Sequence, residues 1–305
     1  MDSDGPLISV VIPHLNQAGD LGACLASLQS QRLSPALFEI IVIDNGSTSP
    51  PVEVMARYPS ARLLHEPEPG PGPARNAGVR HATGEILAFI DADCRADPDW
   101  LLNVAQALRS LPGKTIVGGD VRIWPRNKET LTAVEAYESV FGFRNKLYIE
   151  RHGYSITANL SARRADLDKI EPFVGIQFAE DMEWGERARS AGFQFHFLPN
   201  AIVFHPARRS LRELCVKWDR QIQHYLNMAQ GKPAWKLRWV LRSVAVLGSP
   251  IIDLATVVSS DRIHGVTTRL KAIMILVAIR AHRARKMLSL LRQSNTVLWN
   301  RSAGV

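Results

Sequence analysis

The chain has little cysteine. Its 305 residues include only Cys24, Cys94 and Cys215, which are odd in number, scattered and without metal-ligand spacing. That excludes a disulfide framework and a cysteine-ligated zinc site, and it suits a reducing compartment. No signal peptide is expected, because the acidic start MDSDGP runs straight into an apolar strand pattern. No unmistakable membrane span is present, since a spanning helix needs about 20 mainly apolar residues with few charges. The longest apolar stretch, KLRWVLRSVAVLGSPIIDLATVVSS, is interrupted by Arg242, Gly248, Pro250 and Asp253. It reads as a helix pair broken at GSP and lying at an interface. A dinucleotide fingerprint is absent as well: GPGPAR lacks the last glycine and does not directly follow the first strand.

Negative charge is scarce near one end. From Lys232 to Arg292 there are twelve Lys or Arg against two Asp or Glu, a net of +10, so the rest of the chain carries −2 of the total of +8. Such a patch could meet nucleic acid or an anionic membrane, and the apolar content of the same stretch favours the membrane. Within it, Leu270, Ile273, Met274, Val277, Ala281, Ala284, Leu288 and Leu291 share one helical stripe, flanked by Arg269, Arg280, Arg285 and Arg292. An apolar face with basic edges suits the surface of an anionic bilayer. The competing reading is an amphipathic helix packed on the protein's own core.

What is present elsewhere is a substantial core, with 46% hydrophobic residues, in one large domain or two smaller ones. The first half alternates strand and helix. LISVVIP, FEIIVID, ARLLH and EILAFID read as strands, with helical stretches between them. That pattern gives a mostly parallel sheet with right-handed crossovers. Ligands of such sheets bind beyond the carboxyl ends of the strands. Asp44, Asp91 and Asp93 lie at strand ends and are expected to share one crevice. The glycine- and proline-rich GPGPARNAGV brings Arg75 and Asn76 to a helix start, where backbone N–H groups favour an anion.

The stretch ILAFIDADCRADPDW begins as a buried strand and ends in acids. If the extended geometry persists past Ile90, Asp91 and Asp93 point to the same side. Two like charges that close repel unless a cation lies between them, and hard carboxylate oxygens suit Mg²⁺ or Mn²⁺. Asp97, Pro98 and Asp99 read instead as an N-cap, a first-turn proline and an acidic first turn. Further on, TIVGGDVRI reads as a strand and residues 130–143 as a helix. FAEDMEWGERARSAG is an acidic-first, basic-last helix stopped by glycine. FQFHFLPNAIVFHP reads as a strand pair, or a strand and loop, ending near His205.

Taken in order, VVIPHLNQ, IIVIDNGSTS, GPGPARNAGV, AFIDADC, TANLSARR, EDMEWGERARSAG and VFHP resemble the family 2 glycosyltransferases of the GT-A fold. The likeness covers residues 8–206. It implies a GT-A domain over residues 1–206, a mostly parallel sheet flanked by helices, with residues 207–305 as a basic, amphipathic helical extension. It also implies roles. Asp44 contacts the base of the nucleotide, a uracil, with Pro13 and Asn16 lining the same pocket and Arg75 close to base or phosphates. Asp91 and Asp93 form the D-x-D motif that holds the divalent ion and touches the ribose. Asp181 is the catalytic base, with Glu180 as its substitute, and His205 is a third metal ligand. Asn76, Asn159 and Trp184 fall among the substrate-binding positions. Where processive synthases carry Q-x-x-R-W, this chain has WKLRW at residues 235–239, so a single-sugar transferase is expected.

The combined expectation is an inverting, metal-dependent enzyme that takes a sugar from a nucleotide donor to a hydroxyl acceptor. The acceptor would be lipid-linked, as in cell-envelope or exopolysaccharide assembly. The enzyme would be cytoplasmic and peripheral on the inner face of the cell membrane, and no nucleic acid is involved. Two rivals are a D-x-D phosphatase or nucleotidyltransferase, and a non-catalytic nucleotide-sugar-binding module at the membrane. Cys94 and Arg95 after the second Asp argue against the phosphatase, and the complete acidic set argues against the module.

Overall fold

The computed structural model describes residues 5–127, 129–175 and 180–291. Strand β1 (Ile8–His14) is followed by α1 (Ala18–Gln29), β2 (Phe38–Asp44), the short α2 (Val52–Met55), β3 (Ala61–His65) and α3 (Pro71–His81). Next come β4 (Ile86–Phe89), the two-residue β5 (Arg95–Ala96), α4 (Trp100–Ser110), β6 (Thr115–Trp124) and α5 (Ala133–Phe141). The single-turn α6 (Asn145–Leu147), β7 (Leu160–Arg163), α7 (Arg164–Leu167), α8 (Glu180–Ser190) and β8 (Gln194–Pro206) follow. The described chain closes with α9 (Leu211–Ala229), α10 (Trp235–Gly248), α11 (Pro250–Ser259) and α12 (Val266–Leu290).

Two compact units result. The first joins the chain up to Arg122 with Arg144–His205, and the second joins Ile123–Phe143 with the chain from Pro206 onward. The second unit takes up the chain again at Pro206, and the segment carrying α5 belongs with the C-terminal helices. Packing is the reason. Val134, Ala136, Tyr137, Val140 and Phe141 of α5 share one core with Leu214 of α9, Val257 of α11 and Ala272, Ile275, Leu276 and Ile279 of α12.

In the first unit, eight strands lie in the order β3-β2-β1-β4-β7-β6-β8-β5. The neighbours β3, β2, β1 and β4 are parallel. Strand β7 runs antiparallel to β4, β6 antiparallel to β7, and β5 antiparallel to β8. Alternating side chains feed two cores. Val10 and Ile12 of β1 pack with Leu21 and Leu25 of α1 and Leu101 of α4. Val11 packs with Ala74 and Ala77 of α3 and Trp184 of α8 on the other side. Burial on both faces is why β1 and β4 read as continuous apolar runs rather than alternating ones.

Three local expectations change. Helix α4 starts at Trp100, not after an Asp97 cap. Asp97 makes a turn instead: its Oδ1 accepts from Asp99 N at 3.1 Å and its carbonyl from Trp100 N at 2.9 Å, while Asp99 pairs with Arg32 at 2.8 Å. Within FQFHFLPNAIVFHP, all but Phe193 form a single strand, β8, of 13 residues. The extended geometry does not persist past Ile90. Strand β4 ends at Phe89, and Cys94 N donates to the Asp91 carbonyl at 2.9 Å, closing a turn over the two aspartates.

The regular structure of the second unit is helical among its described residues, apart from the ends of β6 and β8. A capping box starts α5, with Thr132 accepting from Glu135 N and Glu135 from Thr132 N. Helices α10 and α11 break at GSP, as expected, and meet at 43°. Among the described residues no single helix is long and apolar enough to cross a membrane, although this bent pair passes by length and composition. Trp239 of WKLRW is buried, its Nε1 donating to the Met287 carbonyl at 2.8 Å. Helix α12 corrects the stripe read from the sequence. It buries Ala272, Ile275, Leu276, Ile279, Ala284, Met287 and Leu290, and Ile273 packs against the same core. Leu270, Met274, Val277 and Leu288 are left exposed, so the helix is apolar on two faces. Arg292 lies outside the described residues.

Candidate active site

The parallel strands end at one place. In the β1/β2 register His14 is opposite Asp44, and their side chains meet, His14 Nδ1 to Asp44 Oδ1 at 3.0 Å. Gln17 N donates to His14 Nε2 at 3.2 Å. A backbone N–H can only donate, so Nε2 is the acceptor and Nδ1 carries the proton toward Asp44. The imidazole is thus a neutral donor to a buried carboxylate. Burial works against the Asp44 charge, but the bonds from Ser47 and His14 outweigh it and hold the carboxyl below its usual range.

The loops around this pair are sewn together by side-chain amides. Asn16 sits at φ +54, a left-handed conformation that asparagine tolerates better than most residues. Its Oδ1 accepts from Thr48 N at 2.8 Å, and its own N donates to Ser47 Oγ at 2.8 Å. Asn45 donates to the carbonyls of Glu66 and Glu68 at 2.9 and 2.7 Å and accepts from Gly70 N at 2.7 Å. His14, Asn45 and Ser47 were not singled out from the sequence. The register of two parallel strands ending in IPH and VID is the signal that could have exposed His14. Pro13 is half-buried at the end of β1.

Helix α3 supplies the central cation. Gly78 lets it lie close to the sheet, since an added Cβ would come 2.4 Å from Val11 Cγ1. Arg75, buried on this helix, donates from Nη2 to Asp91 Oδ1 at 3.0 Å and from Nη1 to Glu180 Oε1 at 2.9 Å. Burial disfavours its charge, but the two carboxylates more than compensate and raise its pKa. Its Nε is buried and has no hydrogen-bond partner among the described residues.

One residue further along α8, Asp181 accepts from Met182 N at 2.8 Å. Burial, then the adjacent Glu180 carboxylate, push its pKa to about 7, against the pull of the Met182 N–H and of Arg75. Two neighbouring carboxyls therefore sit in different electrostatic surroundings. Glu180 is paired with a cation, while Asp181 is poised near neutrality, as a proton acceptor should be.

On the other side of Asp91, Asp93 Oδ2 lies 3.4 Å from His205 Nε2. Cys94 Sγ donates to Asp93 Oδ1 at 3.6 Å. One donor atom from each of Asp93, Cys94 and His205 falls within 4.8 Å of the others. The Asp93 carboxyl is pushed up by burial and by Asp91, with His205 pulling the other way. A divalent cation between Asp93 and His205 would relieve that strain, and an oxygen–imidazole pair is compatible with Mn²⁺. The residues present therefore fit a metal. Cys94 fits less well: burial pushes its thiol well up, leaving it a protonated donor to Asp93.

Three expected substrate contacts are used structurally. Asn159 is buried, accepting from Trp100 Nε1 at 2.9 Å and donating to the carbonyls of Asp120 and Ala201 at 2.9 Å each. Trp184 is buried in the core against Phe173, ring centroids 4.8 Å apart. Asn76 exchanges two hydrogen bonds with the backbone of Phe173, at 2.8 and 3.0 Å. With their polar atoms or faces already engaged, these residues support the site rather than line it. Phe178, just before the helix, lies outside the described residues.

Residues 9–170 match the sequence profile of the family described as Glycosyl transferase family 2. Glycosyltransferase AglE of Haloferax volcanii is 32% identical over 214 residues, 68% of this chain and 69% of that protein. The uncharacterized glycosyltransferase YibD of Escherichia coli is 41% identical over 95 residues, 30% of this chain and 27% of that protein. Among solved structures, the mannosyltransferase PcManGT from Pyrobaculum calidifontis, in complex with GDP-Man and Mn²⁺, aligns with 95% of this chain and 88% of its own, with TM-score 0.61 and 18% identity. TarS of S. aureus in complex with UDP-GlcNAc aligns with 92% of each chain, with TM-score 0.52 and 17% identity. These two share the GT-A fold with this chain.

Proposed function

Because the chain belongs to glycosyltransferase family 2, we propose that it moves one sugar from a nucleotide donor to a hydroxyl acceptor, with inversion at the anomeric carbon. The observation that carries this reading is the bridge made by Arg75. Its guanidinium ties Asp91 of the D-x-D pair to Glu180 beside Asp181, so the donor-phosphate side and the proton-accepting side form one connected site. Both structural relatives hold a nucleotide sugar, one with GDP and one with UDP, and UDP is the nucleotide favoured here.

A sugar hydroxyl is a weak nucleophile at neutral pH. Asp181, with a pKa of about 7, accepts its proton as the oxygen attacks from the face opposite the leaving group. No covalent enzyme intermediate is needed. Arg75 holds a fixed positive charge beside the departing diphosphate, and its unused Nε–H is available to donate to a phosphate oxygen. Asp93 and His205 would hold Mg²⁺ or Mn²⁺, which when bound neutralises charge on the leaving diphosphate. Asp44, fixed by His14 and Ser47, offers a carboxylate edge to the nucleoside, framed by Pro13 and Asn16.

The acceptor is proposed to be lipid-linked, in cell-envelope or exopolysaccharide assembly. The enzyme would be cytoplasmic and peripheral on the inner face of the cell membrane. Supporting this are the exposed apolar residues of the second unit: Leu237, Leu241 and Val244 on α10, Ile251 and Ile252 on α11, and Met274 and Val277 on α12. The only acid on the helices α10, α11 and α12 themselves, Asp253, is paired with Arg280 at 2.7 Å. The test is a donor-hydrolysis and transfer assay over a panel of nucleotide sugars with Mn²⁺. Metal-dependent release of nucleoside diphosphate from one donor, lost in Asp181→Asn, is expected. Failure of every nucleotide sugar, or phosphate-ester hydrolysis that persists in Asp181→Asn, would overturn the reading.

A further inference from the structure

The second unit contains an open cavity of about 840 Å³, lined in part by Arg208, Ser210, Arg212, Glu213, Lys217 and Arg220. Four of these six are basic and one is acidic. The acid is engaged by the backbone: Glu213 Oε2 accepts from Arg209 N at 2.8 Å, while Glu213 N donates to Ser210 Oγ at 3.2 Å, the arrangement of a helix cap. Arg208 is held by the buried Glu138, through its backbone N at 2.7 Å and through Nη1. Arg212, Lys217 and Arg220 have no carboxylate partner among the described residues.

Lys217 is the informative one. Its Nζ sits over the rings of Phe143 and Trp218, 5.7 and 5.9 Å from their centroids. The same indole is stacked by the Arg283 guanidinium, 3.7 Å from the centroid, and Arg283 Nε and Nη1 have no hydrogen-bond partner among the described residues. Burial pushes Lys217 down to about 8, with Arg208 acting in the same direction and Glu138 against it, and burial pushes Arg283 down to about 10. The one carboxylate near Lys217, Glu138, is already engaged by Arg208, so these cations are left short of the counter-charge that a partly buried ion needs. The start of α9, a 19-residue helix, adds the positive end of its dipole. Val216 adds an apolar wall, and a cavity of this size exceeds what a bare anion fills.

We propose that this cavity binds a phosphate ester, a mono- or diphosphate carrying an organic group, at Arg212, Lys217 and Arg220. It rests on the proposed function only in suggesting that such a ligand belongs to the acceptor. The phosphate can come from a lipid head group or from a soluble ester, and the test separates them.

Isothermal titration of the full chain in EDTA, with farnesyl phosphate, farnesol and inorganic pyrophosphate as probes, reads the site without donor or metal. Farnesyl phosphate is expected to bind, and farnesol at least 10-fold more weakly. Lys217→Met and the exposed-residue double variant Arg212→Gln/Arg220→Gln should each weaken farnesyl phosphate 10-fold or more. The double variant should keep the wild-type melting temperature, so a loss there reports ligand binding rather than folding. Pyrophosphate that competes as well as farnesyl phosphate assigns the site to soluble phosphates, and failure to compete assigns it to a lipid head group. Farnesol binding as tightly as farnesyl phosphate, or both variants within twofold of wild type, overturns the proposal. In Asp93→Ala the farnesyl phosphate affinity should be unchanged while metal-dependent nucleotide binding is lost, so failure of one site does not imply failure of the other.

Discussion

Glu180→Gln tests whether Asp181 owes its proton affinity to its neighbour. The substitution keeps an oxygen for Arg75 to donate to, and removes the charge that ranks second only to burial in raising Asp181. Moving that carboxyl from 3.8 to about 7 separates its two protonation states by on the order of 4 kcal/mol. With one like charge gone, the pKa should fall by on the order of one unit. At pH 6 the ionised fraction would then rise from about one tenth to about half, roughly a fivefold gain relative to the plateau. The assay is kcat/KM for sugar transfer from pH 5 to 9, whose acidic limb reports the free enzyme's base. Stability should move the opposite way. A carboxyl whose folded pKa is raised contributes stability that is full below about 4 and is lost as pH rises through about 7. Asp181→Asn should therefore be inactive, yet more stable than wild type at pH 8 and equal to it near pH 3. An acidic limb that stays in place in Glu180→Gln, or one that survives with full turnover in Asp181→Asn, would refute the assignment of the base.

Asp93→Ala should abolish Mn²⁺-dependent binding of nucleoside diphosphate in calorimetric titration, and binding that resists chelation in the variant would contradict the metal assignment. Gly78→Ala should destabilise the first unit by about 1–3 kcal/mol in chemical denaturation, because the new methyl would sit 2.4 Å from Val11 Cγ1 and 2.9 Å from Ile43 Cδ1. Met274→Asp with Val277→Asp should let high salt strip the protein fully from anionic vesicles, with the melting temperature kept, since both side chains are exposed. Wild type should be released only in part, because salt screens the charge attraction, about 1 kcal/mol per basic residue, and not the apolar one. Ile273→Asp should instead lower the melting temperature, and a wild-type protein that ignores the vesicles at low salt would end the membrane reading.

Much of the first unit was legible because its signals are local. Phe38–Asp44 and Ala61–His65 form strands with the bounds their apolar runs suggest, and of the acids at strand ends Asp91 meets Arg75, while Asp44 pairs with His14 and Asp93 with His205. What was not legible depends on contacts between distant segments. Asn159 looks like a polar residue available to a ligand until Trp100, Asp120 and Ala201 close around it. The D-x-D geometry was misjudged for a similar reason. Period-two alternation holds only while the ladder continues, and the ladder with β1 stops at Phe89, so Asp91 turns to Arg75 and Asp93 to His205.

The second unit shows a limit of helical periodicity itself. A helix needs one apolar stripe to pack, and the pattern does not say which partner lies across from it. Helix α5 carries Tyr137, Val140 and Phe141 on such a stripe and packs with helices more than seventy residues later in the chain. Helix α12 carries two stripes, and reading them as one merged Ile273, which packs inward, with Met274 and Val277, which do not. Adjacent residues on a helix are about 100° apart, enough to send one to the core and the next to solvent. The exposed stripe therefore exists in addition to the core stripe, and packing among the described residues leaves it uncovered. Its apolar residues, on a helix with six Lys or Arg and no acid, are what a separate anionic apolar surface would cover.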